Sequence, residues 1–306
     1  MYGPRSIIME PRLVPLGGVR NMYVRRTLPH RDLPTIGAWC FFDRFGADEV
    51  KMRVEPHPHI GLQTVTWPLV GEVHHRDTEG NDVVLRPGQL NLMTAGDGIA
   101  HSEYSVGEVS VTLDALQFWV VLPDDARHGT AGFEQHTDLP SVTLRAEEGA
   151  DATATVVLGE FAGTRSPATV YTPIVGAEIT LTPGSRVLLP LTSVWEHAIT
   201  LIDGDVRVAG IDVEDEGMLF LGDSRDVVEV ASEAGARLFL LGGEPFEEGI
   251  LMWWNFAGRS HEEIEQARED WETHSPRFGH VVGHGTERIP APPIPPVRLV
   301  TRHRRV

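Results

Sequence analysis

Gln63-Thr64-Val65-Thr66-Trp67-Pro68-Leu69-Val70-Gly71-Glu72-Val73-His74-His75-Arg76-Asp77 reads as one strand, a Gly71-Glu72 reversal and a second strand. β-Branched and aromatic residues fill the first run, and the glycine falls where the chain must turn. Downstream, Glu79-Gly80-Asn81-Asp82 turns into Asp82-Val83-Val84-Leu85, and Arg86-Pro87-Gly88 is a Pro-Gly turn. Asn91-Leu92-Met93-Thr94-Ala95 then reaches the loop Gly96-Asp97-Gly98, and Leu116-Gln117-Phe118-Trp119-Val120-Val121 closes the set. Upstream lie Arg12-Leu13-Val14-Pro15-Leu16, a Gly17-Gly18 turn, Asn21-Met22-Tyr23-Val24-Arg25-Arg26, and the apolar run from Ile36 to Asp43. Short strands, frequent turns and no helical period predict an all-β antiparallel sandwich or barrel.

The stretch 123–153 is richer in Asp, Glu, Gly and Pro and reads as a linker. Beyond it the strand texture returns with a weak internal repeat. Thr66-Trp67-Pro68-Leu69-Val70-Gly71-Glu72-Val73 resembles Ile199-Thr200-Leu201-Ile202-Asp203-Gly204-Asp205-Val206, and Leu85-Arg86-Pro87-Gly88 echoes Leu181-Thr182-Pro183-Gly184. Two tandem β-domains follow, expected over residues 1–140 and 141–306. After Phe256, Ser260-His261-Glu262-Glu263 fits a capping box, and Ile264, Ala267 and Trp271 recur at helical spacing. A helix is therefore expected over about residues 260–273, packed on a sheet. From 289 to 306 the chain is Pro-rich and ends basic (Arg298, Arg302, Arg304, Arg305). That composition suits an extended arm along the protein's own surface, with a partner-binding tail as the alternative.

At 306 residues, with 41% hydrophobic and 23% charged residues, the chain can bury an ample core. A formal net charge of -18 argues against a nucleic-acid partner, which basic patches normally attract. No apolar run approaches the roughly eighteen residues that span a bilayer, and Met1 to Pro11 lacks the apolar core of a signal peptide. The lone cysteine, Cys40, excludes an internal disulfide and suits a reducing compartment, so the expected location is cytoplasmic.

His57-Pro58-His59 and His101-Ser102-Glu103 share one spacing. Residues i and i+2 of a strand share a face, so each pair can aim two donors at one point. Three neutral imidazoles and a carboxylate suit one borderline divalent metal: iron, manganese, nickel, copper or zinc. A six-coordinate ion would keep two positions open for a substrate, whereas a structural zinc would be tetrahedral and closed; donor count leaves both open. The repeat supplies an internal control. Aligning Gly71 with Gly204 puts Pro190 and Thr192 in place of His57 and His59, and no histidine lies between Gly217 and Ser232. The second half cannot build the same site. Of the other histidines, His74 and His75 are adjacent, so only one can face inward, and they read as an exposed pair; His274, His280 and His284 lack ligand spacing. Cys40, Phe42 and Phe45 read as core, although the two phenylalanines could line a pocket. No phosphate-binding glycine loop and no serine nucleophile elbow are present.

The chain resembles the pirin family of bicupins. The likeness rests on His57-Pro58-His59-x-Gly61, Thr64-Val65-Thr66 and Met93-Thr94-Ala95-Gly96-x-Gly98-Ile99-x-His101-Ser102-Glu103. Asp43-x-Phe45-Gly46, Gln117-x-Trp119 and Gly243-Glu244-Pro245 extend it over most of the length. The resemblance implies two cupin barrels, with one iron(II) in the N-terminal barrel alone, held by His57, His59, His101 and Glu103. It further implies oxygenolytic cleavage of quercetin, a small enolisable aromatic substrate, by dioxygen, with Glu103 taking the proton of the 3-hydroxyl group. Other members are described as transcriptional cofactors or redox-responsive regulators, which implies a protein partner and no turnover. The chain departs from the family at Gln63, where glutamate is common and which cannot act as a base, and at Ile60 and Leu62, where bulkier or charged residues are common.

Overall fold

Along Leu62–Val70 every residue but the last is buried. Such a run belongs to a strand covered on both faces, not to a sheet with one wet side. The computed structural model describes residues 3–16, 22–107, 109–214 and 216–302. The Gly17-Gly18 turn and the terminal arginines Arg304 and Arg305 lie outside them. In the first half, Leu62–Val70 is third in a seven-stranded sheet, between Leu90–Thr94 and Val111–Val121, with Trp39–Val50, Tyr23–Leu28 and Arg12–Pro15 beyond. A four-stranded sheet, ordered Arg53–His59, Ile99–Ser105, Val73–Asp77 and Asp82–Leu85, packs on it through Phe45, Val54, Val73, Leu85 and Leu113. The second half repeats the plan with an eight-stranded and a five-stranded sheet around Val156, Ile179, Val187, Leu201 and Leu238. All the strand pairs are antiparallel. This is the all-β, two-barrel architecture that the repeat and the turn spacing predict.

One core runs through both halves. Trp39 and Phe118 of the first meet Phe239 of the second, with Phe118 and Phe239 stacked at 4.8 Å between centroids. Leu62–Val70 is buried on both faces because its sheet lines its own barrel on one side and meets the other half on the other. Exchange of chain ties the halves further: the first strand, Pro4–Met9, pairs with Met218–Gly222 in the second half's sheet.

One detail differs from the expectations above. The stretch 123–153 is not a bare linker: Gly132–His136 extends the first large sheet beside Leu90–Thr94, and Ser141–Leu144 pairs with Ala152–Phe161. These are edge strands and only half-buried, so they carry little hydrophobic pattern for a sequence reading to find. The helix spans His261–Glu272 with Ser260 as its N-cap, and it buries Ile264, Ala267 and Trp271. It rests on the hairpin Leu251–Trp253 and Phe256–Gly258 and on the segment around Phe278. The Pro-rich arm follows the body: Trp271 Nε1 donates to the Ile289 carbonyl, and Arg302 N donates to Ile250. Among the described residues, no helix is long and apolar enough to cross a membrane.

Cys40 lies in the shared core, fully buried, and burial pushes its thiol up to about 12. The thiolate is the reactive form. Native protein at about pH 8 is therefore expected to resist iodoacetamide, and unfolded protein to take up one equivalent. Equal labelling rates in both states would contradict this packing.

Candidate metal centre

Arg53–His59 and Ile99–Ser105 are antiparallel neighbours, with His57 directly opposite His101. That register, with the two-residue spacing of His57 and His59, lands three imidazoles on one face. Ring centroids stand 4.4 Å apart for His57 and His101, and 5.1 Å for His59 with either partner. All three are buried, and each offers a ring nitrogen within 4.8 Å of the others. His57 Nδ1–H donates to the Glu55 carbonyl at 2.9 Å, and His59 Nδ1–H donates to the Asn255 carbonyl at 3.0 Å. Both lone pairs therefore fall on Nε2. Among the described residues, His101 Nε2 is buried with no hydrogen-bond partner.

Burial holds the imidazoles of His59 and His101 well below the usual histidine range, and the neighbouring histidines push the same way. Neutral imidazoles with converging lone pairs are metal donors, and a buried nitrogen without a partner is costly unless something binds it. The donor set thus fits a divalent transition metal.

Glu103 follows a register shift after His101, the kind of irregularity that re-aims a side chain, and it does not group with His57 and His59. It forms a second cluster with His75 and His101, overlapping the first through His101. Burial pushes its carboxyl up, and His75 and the Thr66 hydroxyl only partly offset this. Thr66 Oγ1 lies 3.1 Å from Glu103 Oε1 and 3.0 Å from Gln117 Oε1.

Reading His74 and His75 as an exposed pair fails for His75. Val73–Asp77 alternates strictly, so Val73, His75 and Asp77 turn inward while His74 and Arg76 turn outward. Reading Val73 as an inward residue would have placed His75 and Asp77 on the same face. His75 Nε2–H donates to Asp77 Oδ2 at 3.0 Å. Burial raises the Asp77 carboxyl, but donors from His75 and Asn81 more than reverse that, leaving it below the usual range. His284, without ligand spacing in the sequence, is also buried, behind the site. It meets Ser102 Oγ at 2.9 Å and the Tyr104 hydroxyl at 3.0 Å, so the C-terminal segment backs the His101 strand.

A cavity of about 340 Å³ opens over the three histidines. That is within the range of small-molecule pockets. Its wall includes Phe41 and Trp119, stacked at 3.9 Å, with Trp119 edge-on to His59 at 5.1 Å. Arg26 lies over Phe41 and is bound to Asp43 by two hydrogen bonds of 2.7 Å. Phe45 lines the cavity, whereas Phe42 stacks on Phe118 in the core. Trp254 and Asn255 arrive from the distant Leu251–Gly258 hairpin, and no local sequence signal connects them to His59. That hairpin docks through Ala257 N on the Ile60 carbonyl, and Gly61 permits the approach: at φ +68°, a Cβ there would stand 2.1 Å from the Ala257 carbonyl oxygen. Gln63 does not line the cavity. Its amide donates to Thr94 Oγ1 at 2.9 Å and to the Thr169 carbonyl at 3.2 Å, tying the halves together.

Comparison with known proteins follows the same division. Residues 20–120 match Pirin, and residues 176–279 match the Pirin C-terminal cupin domain. A Pseudomonas aeruginosa protein named "Putative quercetin 2,3-dioxygenase PA1205" is 41% identical over 288 residues, 93% of this chain and 89% of that protein. A Caulobacter vibrioides pirin-like protein is 33% identical over 295 residues, 94% of this chain and 99% of that one. The crystal structure of a quercetin 2,3-dioxygenase from Acinetobacter baumannii aligns with a TM-score of 0.89 at 36% identity, covering 96% of this chain and 97% of that one. With both halves matched and the likeness running nearly end to end, the chain belongs to the pirin family.

Proposed function

We propose that this pirin is a mononuclear metal-dependent dioxygenase of the quercetin 2,3-dioxygenase type, holding one iron(II) through His57, His59, His101 and Glu103. The observation that carries the reading is the partnerless, buried Nε2 of His101 beside two imidazoles, on the floor of an aromatic-walled cavity. The names of the Pseudomonas and Acinetobacter relatives favour a flavonol as the substrate class. When bound, the metal supplies the Lewis acidity and redox chemistry that a reaction with dioxygen requires. The chemistry belongs to residues 1–140; residues 141–306 supply the facing core and the hairpin that orients His59, with Pro190 and Thr192 where ligands would stand.

The protein's own groups divide the remaining work. Arg26, Phe41 and Trp119 stack in a row along the cavity wall, a surface suited to a planar ring, with the charge of Arg26 neutralised by Asp43. Glu103 takes the proton of the flavonol 3-hydroxyl, which leaves an enolate oxygen.

Aerobic incubation of iron-loaded protein with quercetin tests the reading. Loss of the flavonol absorbance with release of carbon monoxide is expected. Glu103→Gln is expected to lower kcat by at least about 100-fold, the usual contribution of a positioned base, with metal content measured alongside to separate lost ligation from lost base. Fully iron-loaded protein that leaves quercetin intact would sink the quercetinase assignment.

A further inference from the structure

His57 and His59 owe their tautomers to backbone carbonyls, which no substitution removes. His101 differs. Its Nδ1 lies 3.4 Å from Nδ1 of His75, and His75 Nε2 lies 3.0 Å from Asp77 Oδ2. The direction of each bond is determined by what can donate. Ionised Asp77 accepts only, so the neutral form of His75 carries its hydrogen on Nε2 and a lone pair on Nδ1. His101 must then donate from Nδ1, and its own lone pair is left on Nε2, the atom without a partner.

The far end of this chain is well anchored. Asp77 Oδ1 accepts from the backbone N–H groups of Glu79 and Asn81 and from Asn81 Nδ2, each at 3.0 Å. Phe133 stacks on the His75 ring at 4.5 Å and 20°, which fixes its plane. His75, Asp77 and His101 are all buried, so water does not compete for these bonds.

We propose that Asp77 and His75 are positioning residues that hold His101 in the Nδ1–H tautomer and aim its Nε2 lone pair at the metal. The ligating form of His101 then depends on other side chains, whereas backbone carbonyls accept from Nδ1 of His57 and His59. The inference rests on the proposed role of His101 as a ligand and goes beyond it by assigning two residues that touch neither metal nor substrate. Outer partners of this kind orient a ligand and raise its basicity, and their loss typically costs 10–100-fold in metal affinity.

The test is competition for cobalt(II) against a chromophoric chelator, using wild type, His75→Phe and His75→Asn. Phenylalanine keeps the stack on Phe133 but offers no acceptor. Asparagine can place an oxygen close to the position of Nδ1. His75→Phe is expected to bind cobalt about 10–100-fold more weakly and with a shifted visible spectrum. His75→Asn should recover most of the affinity and the wild-type spectrum. If the phenylalanine variant fails to fold by circular dichroism, His75→Ala, which also lacks the acceptor, carries the same comparison. Wild-type affinity in the phenylalanine or alanine variant would overturn the proposal. So would an asparagine variant as weak as these, because ring packing or direct ligation by His75 would then explain the loss. Wild-type protein that takes up no cobalt would overturn the ligand set and this inference with it. Absent quercetin turnover alongside the expected affinities would overturn only the dioxygenase reading.

Discussion

His101→Ala is expected to abolish stoichiometric metal binding while leaving the first barrel folded, and His57→Ala to do the same. Loss of an outer partner already costs 10–100-fold, so loss of one of three imidazole donors should exceed about 100-fold. The folded state should tolerate the change because of what His101 does without metal. Its Nε2 is buried without a partner, and burying such a nitrogen costs free energy that alanine does not. The cavity left by the ring works in the opposite direction, so the two effects largely offset each other in metal-free protein. The signature is therefore a difference in response. Metal at 100 times its Kd should stabilise wild type by about 2.7 kcal/mol and raise its Tm, whereas His101→Ala should melt at the same temperature with or without metal. Elemental analysis and paired melting curves decide the matter. Full metal occupancy in the His57→Ala/His101→Ala double variant would show that other residues are the ligands.

The grouping of these histidines was legible because strand geometry is local. A spacing of two residues on a strand means one face, and His57-x-His59 needed only one neighbouring strand in the right register to meet His101. The strand texture was legible for the same reason, down to the helix capped by Ser260. What the sequence hid depends on long-range approach. The Asn255 carbonyl reaches His59 from 196 residues away, and His284 reaches Ser102 from 182 residues away. Nothing in the spacing of either residue encodes such a meeting. His75 is an intermediate case: the alternation of Val73, His75 and Asp77 contains its orientation, but two adjacent histidines suggest a wet surface unless the inward face is identified first. Composition misled at 123–153, where polar edge strands resemble a linker.

Trp39→Ala is expected to be the most destabilising single change in the core, because Trp39 belongs to both halves at once. Its ring is wholly buried, edge-on to Phe118 at 5.1 Å in its own half and to Phe239 at 6.3 Å in the other. Its Nε1–H donates across the junction to the Gly242 carbonyl at 3.1 Å. Gly176 of the second half lies so close that a Cβ there would stand 3.0 Å from the indole. Truncating a buried tryptophan costs about 3–5 kcal/mol, and the abandoned Gly242 carbonyl adds about 1–3 kcal/mol unless water reaches it. At roughly 2–4 °C per kcal/mol for a chain of this size class, Tm should fall by about 10 °C or more. Trp39→Phe keeps an aromatic ring but has no donor, and it should lose appreciably less. The two variants thus separate packing from the hydrogen bond. Because many of the lost contacts join the halves, calorimetry of Trp39→Ala should also show unfolding that is broader than in wild type or split in two. A Tm within 2 °C of wild type would mean that the junction is not where the two barrels derive their mutual stability. The hairpin that presents Asn255 to His59 would then have to hold its place by its own contacts with Ile60 and the C-terminal helix.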